Sequence, residues 1–124
     1  MIYLSCAEII SIHETVIEAN EVQGQAINKS IEAIISRIEN RISYGLIRDI
    51  YELAACYACY IAMGHAFHDA NKRTAFVAMD LCLLLNGIEL VYRVEEVGPL
   101  IIEAAQGIVD ETELAEWLRV QSLV

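Results

Sequence analysis

Residues 65–73 bring together several side chains that could do chemistry. In chain order, the reactive members are His65, Asp69, Asn71, Lys72 and Arg73. An imidazole takes up a proton near neutral pH, and a carboxylate is a ligand that Mg²⁺ prefers. Amide and cationic side chains bind phosphate oxygens. A base, a metal-capable acid and phosphate-binding groups in one segment indicate phosphoryl or nucleotidyl transfer.

Each of these residues also has an ordinary structural interpretation. His65 could be a core histidine bonded to backbone, Asp69 could cap the following helix, and Asn71 could be a turn residue. The pair Lys72 and Arg73 is harder to explain in this way. The helix macrodipole disfavours cations at a helix start, and a bound polyanion would reverse that penalty.

The remaining aromatic and imidazole side chains of interest have simpler expectations. Phe67 should anchor the segment in the core under either interpretation. His68 should be an exposed loop residue, with a substrate contact as the alternative. His13 lies beside apolar residues of the first helix and should be a hydrogen-bonded structural histidine.

Apolar helical sequence flanks the segment on both sides and must position it. One run ends at Met63, where Gly64 is expected to stop the helix. The next helix is predicted over Thr74–Leu85, closed by Asn86-Gly87. The segment should therefore be a loop that opens into a helix N-terminus. Unpaired N–H groups and the macrodipole make such a place an anion site.

Apolar spacing and capping signals predict an all-α fold for the rest of the chain. We expect one domain, residues 1–124, of about six helices with no internal repeat. The predicted segments are a first helix from the Ser5–Glu8 capping box, a loop over Asn20–Gln25, a second helix capped by Asn28 and ended by Ser43–Gly45, a long helix over Arg48–Met63, a short extended piece over Ile88–Val94, and helices over Val97–Gln106 and Glu111–Val120, the last opened by Asp110.

Composition narrows the class of protein. The 124 residues are 56% hydrophobic, enough for one core, and the formal net charge is −10. That charge argues against a basic face, and so against direct nucleic-acid binding. The longest apolar stretches, Leu53–Met63 and Ala75–Leu85, fall short of the roughly 18 residues that a membrane span needs. We therefore expect no membrane association and, since no secretory signal is visible, a cytoplasmic protein.

The four cysteines include a CxxC pattern at Cys56 and Cys59. It lies in an apolar helical stretch with no second Cys or His pair at zinc spacing. Buried free thiols are the expectation, with a redox or metal role as the alternative.

The reactive segment resembles the Fic/Doc family signature, H-x-F-x-[D/E]-x-N-x-R. The five fixed positions are met by His65, Phe67, Asp69, Asn71 and Arg73. The likeness covers roughly residues 5–90. It is strongest to the death-on-curing (Doc) branch, as in the run Asn71–Ala75. The two C-terminal helices match only in being helical.

The resemblance implies a role for each matching residue. His65 would be the general base on a protein hydroxyl, and Asp69 would hold Mg²⁺ against the phosphates of ATP. Asn71 and Arg73 would bind phosphate, with Lys72 beside them. The usual activity of the family is transfer of AMP from ATP onto a target protein.

Two positions depart from the AMP-transferring pattern. Lys72 stands where most such proteins have Gly, and Phe76 stands where they have a second Arg. Doc-type proteins share both departures. The resemblance thus implies transfer of the terminal phosphate to elongation factor Tu and growth arrest. Protein adenylyl transfer and a catalytically silent interaction domain are the alternatives.

Regulation is expected to come from a second protein. Fic-like proteins are commonly silenced by a helix with the pattern [S/T]-x-x-x-E-[G/N], which this chain lacks. The nearest segment, Thr112–Glu116, is followed by Trp117, and in Ser36–Asn40 the Glu comes one position early. The resemblance to Doc-type pairs implies an antitoxin that folds onto the chain in trans.

Overall fold

Six helices make up most of the protein in a computed structural model, which describes residues 1–27 and 29–122. They are α1 Cys6–Val16, α2 Ile31–Ser43, α3 Ile50–Gly64, α4 Asn71–Leu85, α5 Val94–Ala105 and α6 Glu111–Ser122. Across these described residues there is no strand, only an isolated antiparallel bridge between Gln25 and Phe67. The prediction of a single all-α domain of about six helices is confirmed.

Two predicted capping boxes start helices as expected. At α1, Glu8 N donates to Ser5 Oγ at 3.2 Å and Ser5 N donates to Glu8 Oε1 at 3.0 Å. At α6, Glu113 N donates to Asp110 Oδ1 at 2.8 Å, and Asp110 N to Glu113 Oε1 at 3.4 Å. Each box satisfies N–H groups that the helix itself leaves unpaired, which fixes where the helix begins.

Two other helix starts differ from the prediction. The predicted cap Asn28 lies outside the described residues, and Ser30 caps α2 by accepting Ala33 N at 3.2 Å. Helix α4 begins at Asn71, three residues before the predicted Thr74. Part of the reactive segment is therefore helical.

The predicted extended piece over Ile88–Val94 forms no sheet edge in the described part of the chain, and its last residue is helical. Residues 88–93 form an irregular connection without strand pairing among the described residues, and Val94 is the first residue of α5. Tyr92 Oη donates to Asp80 Oδ1 of α4 at 2.5 Å, which ties the connection to the core. A side-chain bond, rather than a sheet edge, holds this segment.

Helix α3 lies at the centre of the fold. Every residue from Leu53 to Ala62 is buried, and the helix packs against α2, α4, α5 and α6. Tyr57 Oη joins it to the N-terminal segment, accepting Leu4 N at 2.8 Å and donating to Leu4 O at 3.3 Å. A helix buried on all sides can hold its two ends at fixed positions, and its C-terminal end leads into the reactive segment.

The cysteines are free thiols, as predicted. Cys56, Cys59 and Cys82 are buried, and Cys6 is partly buried. Burial raises the pKa of Cys56 to about 11 and that of Cys59 to about 12, so both are protonated and unreactive. Within residues 1–27 and 29–122 no three His, Cys, Asp or Glu side chains group as metal ligands. None of the described helices is long and apolar enough to cross a membrane.

Candidate active site

The loop between α3 and α4 is bounded by two residues in left-handed backbone conformation. His65 has φ 48° and ψ 43°, and Ala70 has φ 66° and ψ 24°. They are the only non-glycine residues with positive φ in the described part of the chain. An L-residue with a Cβ is strained there by about 1–2 kcal/mol. Such strain is retained where the surrounding structure holds it, commonly at functional sites.

Gly64 does not end α3 in the way predicted. It is the last helical residue, and the left-handed residue that ends the helix is His65. A Cβ added at Gly64 would lie 2.5 Å from Cδ1 and 3.1 Å from Cγ1 of Ile34 on α2. The glycine permits the close approach of α2, and the strained conformation falls on the exposed His65 instead.

Phe67 anchors the loop in the core, as predicted. Its side chain is buried, and its ring stacks on His13 of α1 with centroids 3.8 Å apart and planes 6° from parallel. His13 is also buried, and its Nε2 lies 2.9 Å from the carbonyl oxygen of Asp69. Nε2 donates in this bond, since a carbonyl can only accept. His13 thus holds the loop at two points, one on each side of His68.

Asn71 closes the loop with a pair of hydrogen bonds to one residue. Its Oδ1 accepts Phe67 N at 3.1 Å, and its Nδ2 donates to Phe67 O at 2.9 Å. An amide nitrogen carries two donors, so one N–H is left for a ligand. This carboxamide therefore shapes the loop, and its predicted phosphate contact would use the second N–H.

The segment before α2 runs alongside the loop. Ala26 N donates to Ala66 O at 2.8 Å, and His68 N donates to Gly24 O at 3.2 Å. His68 is exposed, as predicted, and contributes its backbone to this pairing. The sequence suggested no such ribbon, because its bonds join backbone groups forty or more residues apart.

Asp69 does not cap α4, so that interpretation is wrong. The N-cap residue is Ala70, and no side chain among the described residues caps the helix. Asp69 is partly exposed, and its Oδ2 accepts Val22 N at 2.8 Å. No hydrogen-bond donor to Oδ1 occurs within the described residues. One carboxylate oxygen is therefore left for a cation.

The start of α4 is open to an anion. Thr74 N donates to Ala70 O at 3.0 Å, whereas the N–H groups of residues 71–73 have no acceptor in the described part of the chain. Lys72 is exposed and forms no ion pair with the described residues. Unpaired N–H groups, the positive end of the macrodipole and a free cation make this a site for phosphate.

Arg73 is held by two partners on the α1 side. Its Nη1 donates to Val16 O at 2.8 Å, and its Nη2 donates to the carboxylate of Glu21. The hydrogen bond to Glu21 raises the pKa of Arg73, and the same bond lowers the pKa of Glu21. The predicted phosphate ligand is therefore already paired with a carboxylate.

Phe76 lies in an apolar groove of about 420 Å³ between α1, α4 and α5. The side chains of Val16, Val77, Val94, Ile101 and Ile102 line the groove, and Lys72 and Arg73 border it. Val94 is 69% exposed and Ile102 is 48% exposed. Apolar surface of this kind beside two cations is typical of a contact surface.

Sequence reasoning missed three contributors to the site. His13 was predicted to be a structural histidine, but its contacts with Phe67 and Asp69 were not predicted. Glu21 and Val22 lie in a polar loop that carries no motif. Their partners are about fifty residues away in the sequence, so no local pattern could have indicated them.

A family model and a curated relative match the chain. The model of the Fic/DOC family matches residues 3–83, which include the loop and α4. The chain belongs to the Fic/Doc family. "Protein kinase doc" of Escherichia phage P1 is 36% identical over 120 residues, covering 96% of this chain and 94% of that protein. The similarity to the relative includes α5 and α6, beyond the region that the Fic/Doc model matches.

Proposed function

We propose that the chain is a Fic/Doc phosphotransferase that moves the γ-phosphate of ATP to a hydroxyl of a protein. The observation that carries the proposal is the uncapped start of α4, whose unpaired N–H groups and Lys72 follow a short loop that begins at the exposed His65. The name of the phage P1 relative supports kinase chemistry. We expect the reaction to take place in the cytoplasm, where ATP is present.

In the proposed reaction, His65 removes the proton of the acceptor hydroxyl. The hydroxyl oxygen then bonds to the γ-phosphorus while the bond from that phosphorus to the bridging oxygen breaks, releasing ADP. Little covalent chemistry is asked of the protein, so catalysis is mainly positioning and charge stabilisation. The N–H groups of residues 71–73, Lys72 and Arg73 would bind the phosphate oxygens.

The residues present fit a magnesium ion. Asp69 would hold it through Oδ1, and no second carboxylate is needed, because Mg²⁺ usually binds one or two carboxylates together with water and substrate phosphates. When bound, the ion would neutralise charge that develops on the phosphates. The bond from Val22 N to the other oxygen would keep the carboxylate oriented.

Lys72 and Phe76 favour phosphate transfer over AMP transfer. The AMP-transferring members of the family have Gly and a second Arg at these positions, which seat the triphosphate against bare backbone and at its far end. In this chain Phe76 replaces the second Arg, and its ring lies in an apolar groove. The ring packs edge-on against Tyr92, with the two ring centroids 6.2 Å apart. A desolvated phosphate without a counter-charge is costly, so the AMP-transfer pose loses a partner.

We further propose that the chain is the growth-arresting toxin of a toxin–antitoxin pair. The apolar groove beside Lys72 and Arg73 supports an antitoxin segment as the partner. Such a segment would place apolar side chains against Val94 and Ile102 and an acidic one near the two cations. Coupled folding and binding of this kind buries apolar surface at an ordering cost.

The test is incubation of the purified chain with purified elongation factor Tu and ATP labelled on either the γ- or the α-phosphate. We expect label from γ-labelled ATP alone and an intact-mass gain of one phosphate on the factor. Elongation factor Tu is used because it is the target that the family resemblance implies. In a separate test, expression of the chain in bacteria should arrest their growth.

The control is His65→Ala, which removes the base from an exposed position and should leave the circular dichroism spectrum unchanged. Loss of a general base lowers the rate by roughly 10²–10⁴. Label from α-labelled ATP would instead show an adenylyltransferase. No modification by either nucleotide would favour the silent interaction domain, and a folded His65→Ala chain with full activity would remove His65 from the mechanism.

A further inference from the structure

The segment from Glu18 to Gln23, here called the strap, contacts both proposed ligands of the nucleotide. Glu21 pairs with Arg73, and Val22 N donates to Asp69 Oδ2 at 2.8 Å. The strap follows α1, whose last residue, Val16, accepts the other end of the Arg73 guanidinium. One short segment thus contacts both Arg73, the proposed phosphate-binding residue, and Asp69, the proposed metal-binding residue.

Glu21 is fixed in place by the strap itself. Its Oε1 accepts Glu18 N at 2.9 Å, which closes a turn, while Oε2 points at Arg73. The Glu21 side chain is 19% exposed and that of Arg73 is 44% exposed. The turn therefore holds the Glu21 carboxylate in position against the Arg73 guanidinium, unlike a surface side chain that moves freely.

We propose that Glu21 is a built-in competitor for the phosphate at Arg73, so that it sets the affinity of the site for the nucleotide. The inference rests on the proposed function, since it concerns the same phosphate site. A guanidinium binds carboxylate and phosphate through the same fork of N–H donors. Nη1 bonds to Val16 O and Nη2 bonds to Glu21, so a phosphate oxygen that takes the Nη2 N–H on the Glu21 side must displace the carboxylate.

The competitor differs from the inhibitory helix sought in the sequence. Glu116, in the segment nearest to that pattern, pairs with Arg119 at 3.0 Å, away from the loop. Glu21 acts instead from the strap and on the motif arginine itself. Val22 of the same strap bonds to Asp69 through its backbone N–H, so displacement of the Glu21 side chain would leave the contact that orients the proposed metal ligand in place.

The test compares Glu21→Gln with the wild-type chain by isothermal titration calorimetry with Mg–ATP and, separately, with tripolyphosphate. The glutamine keeps an acceptor for Glu18 N and removes the charge, so the turn should persist. We expect both ligands to bind about fivefold tighter, a modest gain because the Glu21–Arg73 pair is partly exposed to solvent. Circular dichroism should show an unchanged fold.

Glu18→Gln is the matched control. It removes the same charge from the same strap, but its side chain forms no hydrogen bond or ion pair with the described residues. Screening by solvent and salt should keep its effect within about twofold. The gain from Glu21→Gln should also vanish in an Arg73→Gln background, because Glu21 acts through Arg73.

Two results would overturn the inference while sparing the proposed function. One is equal affinity of wild type and Glu21→Gln, and the other is an equal gain from Glu18→Gln, which would reduce the effect to general charge. If neither the wild type nor any variant binds Mg–ATP or tripolyphosphate, the proposed function fails together with this inference. Binding by Glu21→Gln alone would support it.

Discussion

The two central helices, α3 and α4, begin in opposite ways. At α3, Asp49 caps the helix by accepting Glu52 N at 2.9 Å, and Glu52 places a carboxylate in the first turn. At α4, Ala70 offers no side-chain cap, and the first turn carries Lys72 and Arg73 with no acidic residue. The first arrangement follows the macrodipole, and the second opposes it.

The surroundings of the two helix starts sharpen the contrast. At α3, Arg119 pairs with Asp49 at 2.9 Å and with Glu52 at 3.1 Å, and Arg48 pairs with Glu52 at 2.8 Å. At α4, the backbone N–H groups of the first turn lack acceptors in residues 1–27 and 29–122. The protein satisfies one helix start internally and leaves the other for a ligand. Local stability is thus lower where we propose the chemistry.

The largest expected effect at the α4 start comes from Asp69→Asn. Asparagine keeps an acceptor for Val22 N, so the loop should retain its contacts. Removal of the charge weakens a magnesium site, and a bound metal contributes several kcal/mol to such reactions. Transfer activity should fall on the order of 100-fold, with the melting temperature nearly unchanged.

The matched measurement is a magnesium titration of activity, which should shift to higher concentration in the variant. A variant with wild-type activity and wild-type magnesium dependence would limit Asp69 to holding the strap. A large fall in melting temperature would give it a structural role instead. In either case Asp69 would no longer be assigned as a metal ligand. The contrast between the α4 and α3 starts would then depend only on the phosphate-binding groups of α4.

Most of the helices could be predicted because the residues that determine where they start are close together in the sequence. The capping boxes at Ser5 and Asp110 and the apolar spacing behind them needed no tertiary information. The α4 start was placed three residues late because it has no capping side chain, which is the same feature that opens it to a ligand. The start of α5 was misplaced because Arg93 provides no side-chain cap and Pro99 lies inside the helix.

The candidate residues could be proposed from the sequence, but the contacts that hold them could not. The signature positions came from one short segment, and Phe67 is buried as expected. The bonds from His13, Glu21 and Val22 join this segment to residues about fifty positions earlier. Left-handed conformation at Ala70 was also unpredictable, since alanine disfavours it and only the bonds around it hold it there.

At the α3 start, Asp49→Ala should lower the free energy of unfolding by about 1–2 kcal/mol, because both the cap and an ion pair are lost. Asp49→Asn keeps the cap and should cost less than about 1 kcal/mol. Chemical denaturation checks both values. Transfer activity should be unaffected, and a loss of activity in the folded variants would contradict the division between a structural and a reactive helix start.

The environment of Asp49 also predicts how the free energy of unfolding changes with pH. Burial raises the pKa of Asp49, but hydrogen bonds from Arg119 and from Glu52 N outweigh it, so the pKa is lowered overall. A lowered native pKa gives stability that is present above the ordinary aspartate range and is lost as the pH falls through the native value. Asp49→Ala should therefore be less sensitive to acid than the wild type.

The smallest effect is expected at the entry to α4, from Ala70→Gly. Glycine adopts positive φ without strain, so the variant should gain up to about 1 kcal/mol in free energy of unfolding. The control is Ala66→Gly, at a buried alanine of the same loop with ordinary φ, where glycine should cost roughly 1 kcal/mol. Opposite signs by chemical denaturation would show that the α4 entry is strained as well as uncapped. A loss of stability in both variants would mean that Ala70 is not strained, and the two helix starts would then differ only in their caps and charges.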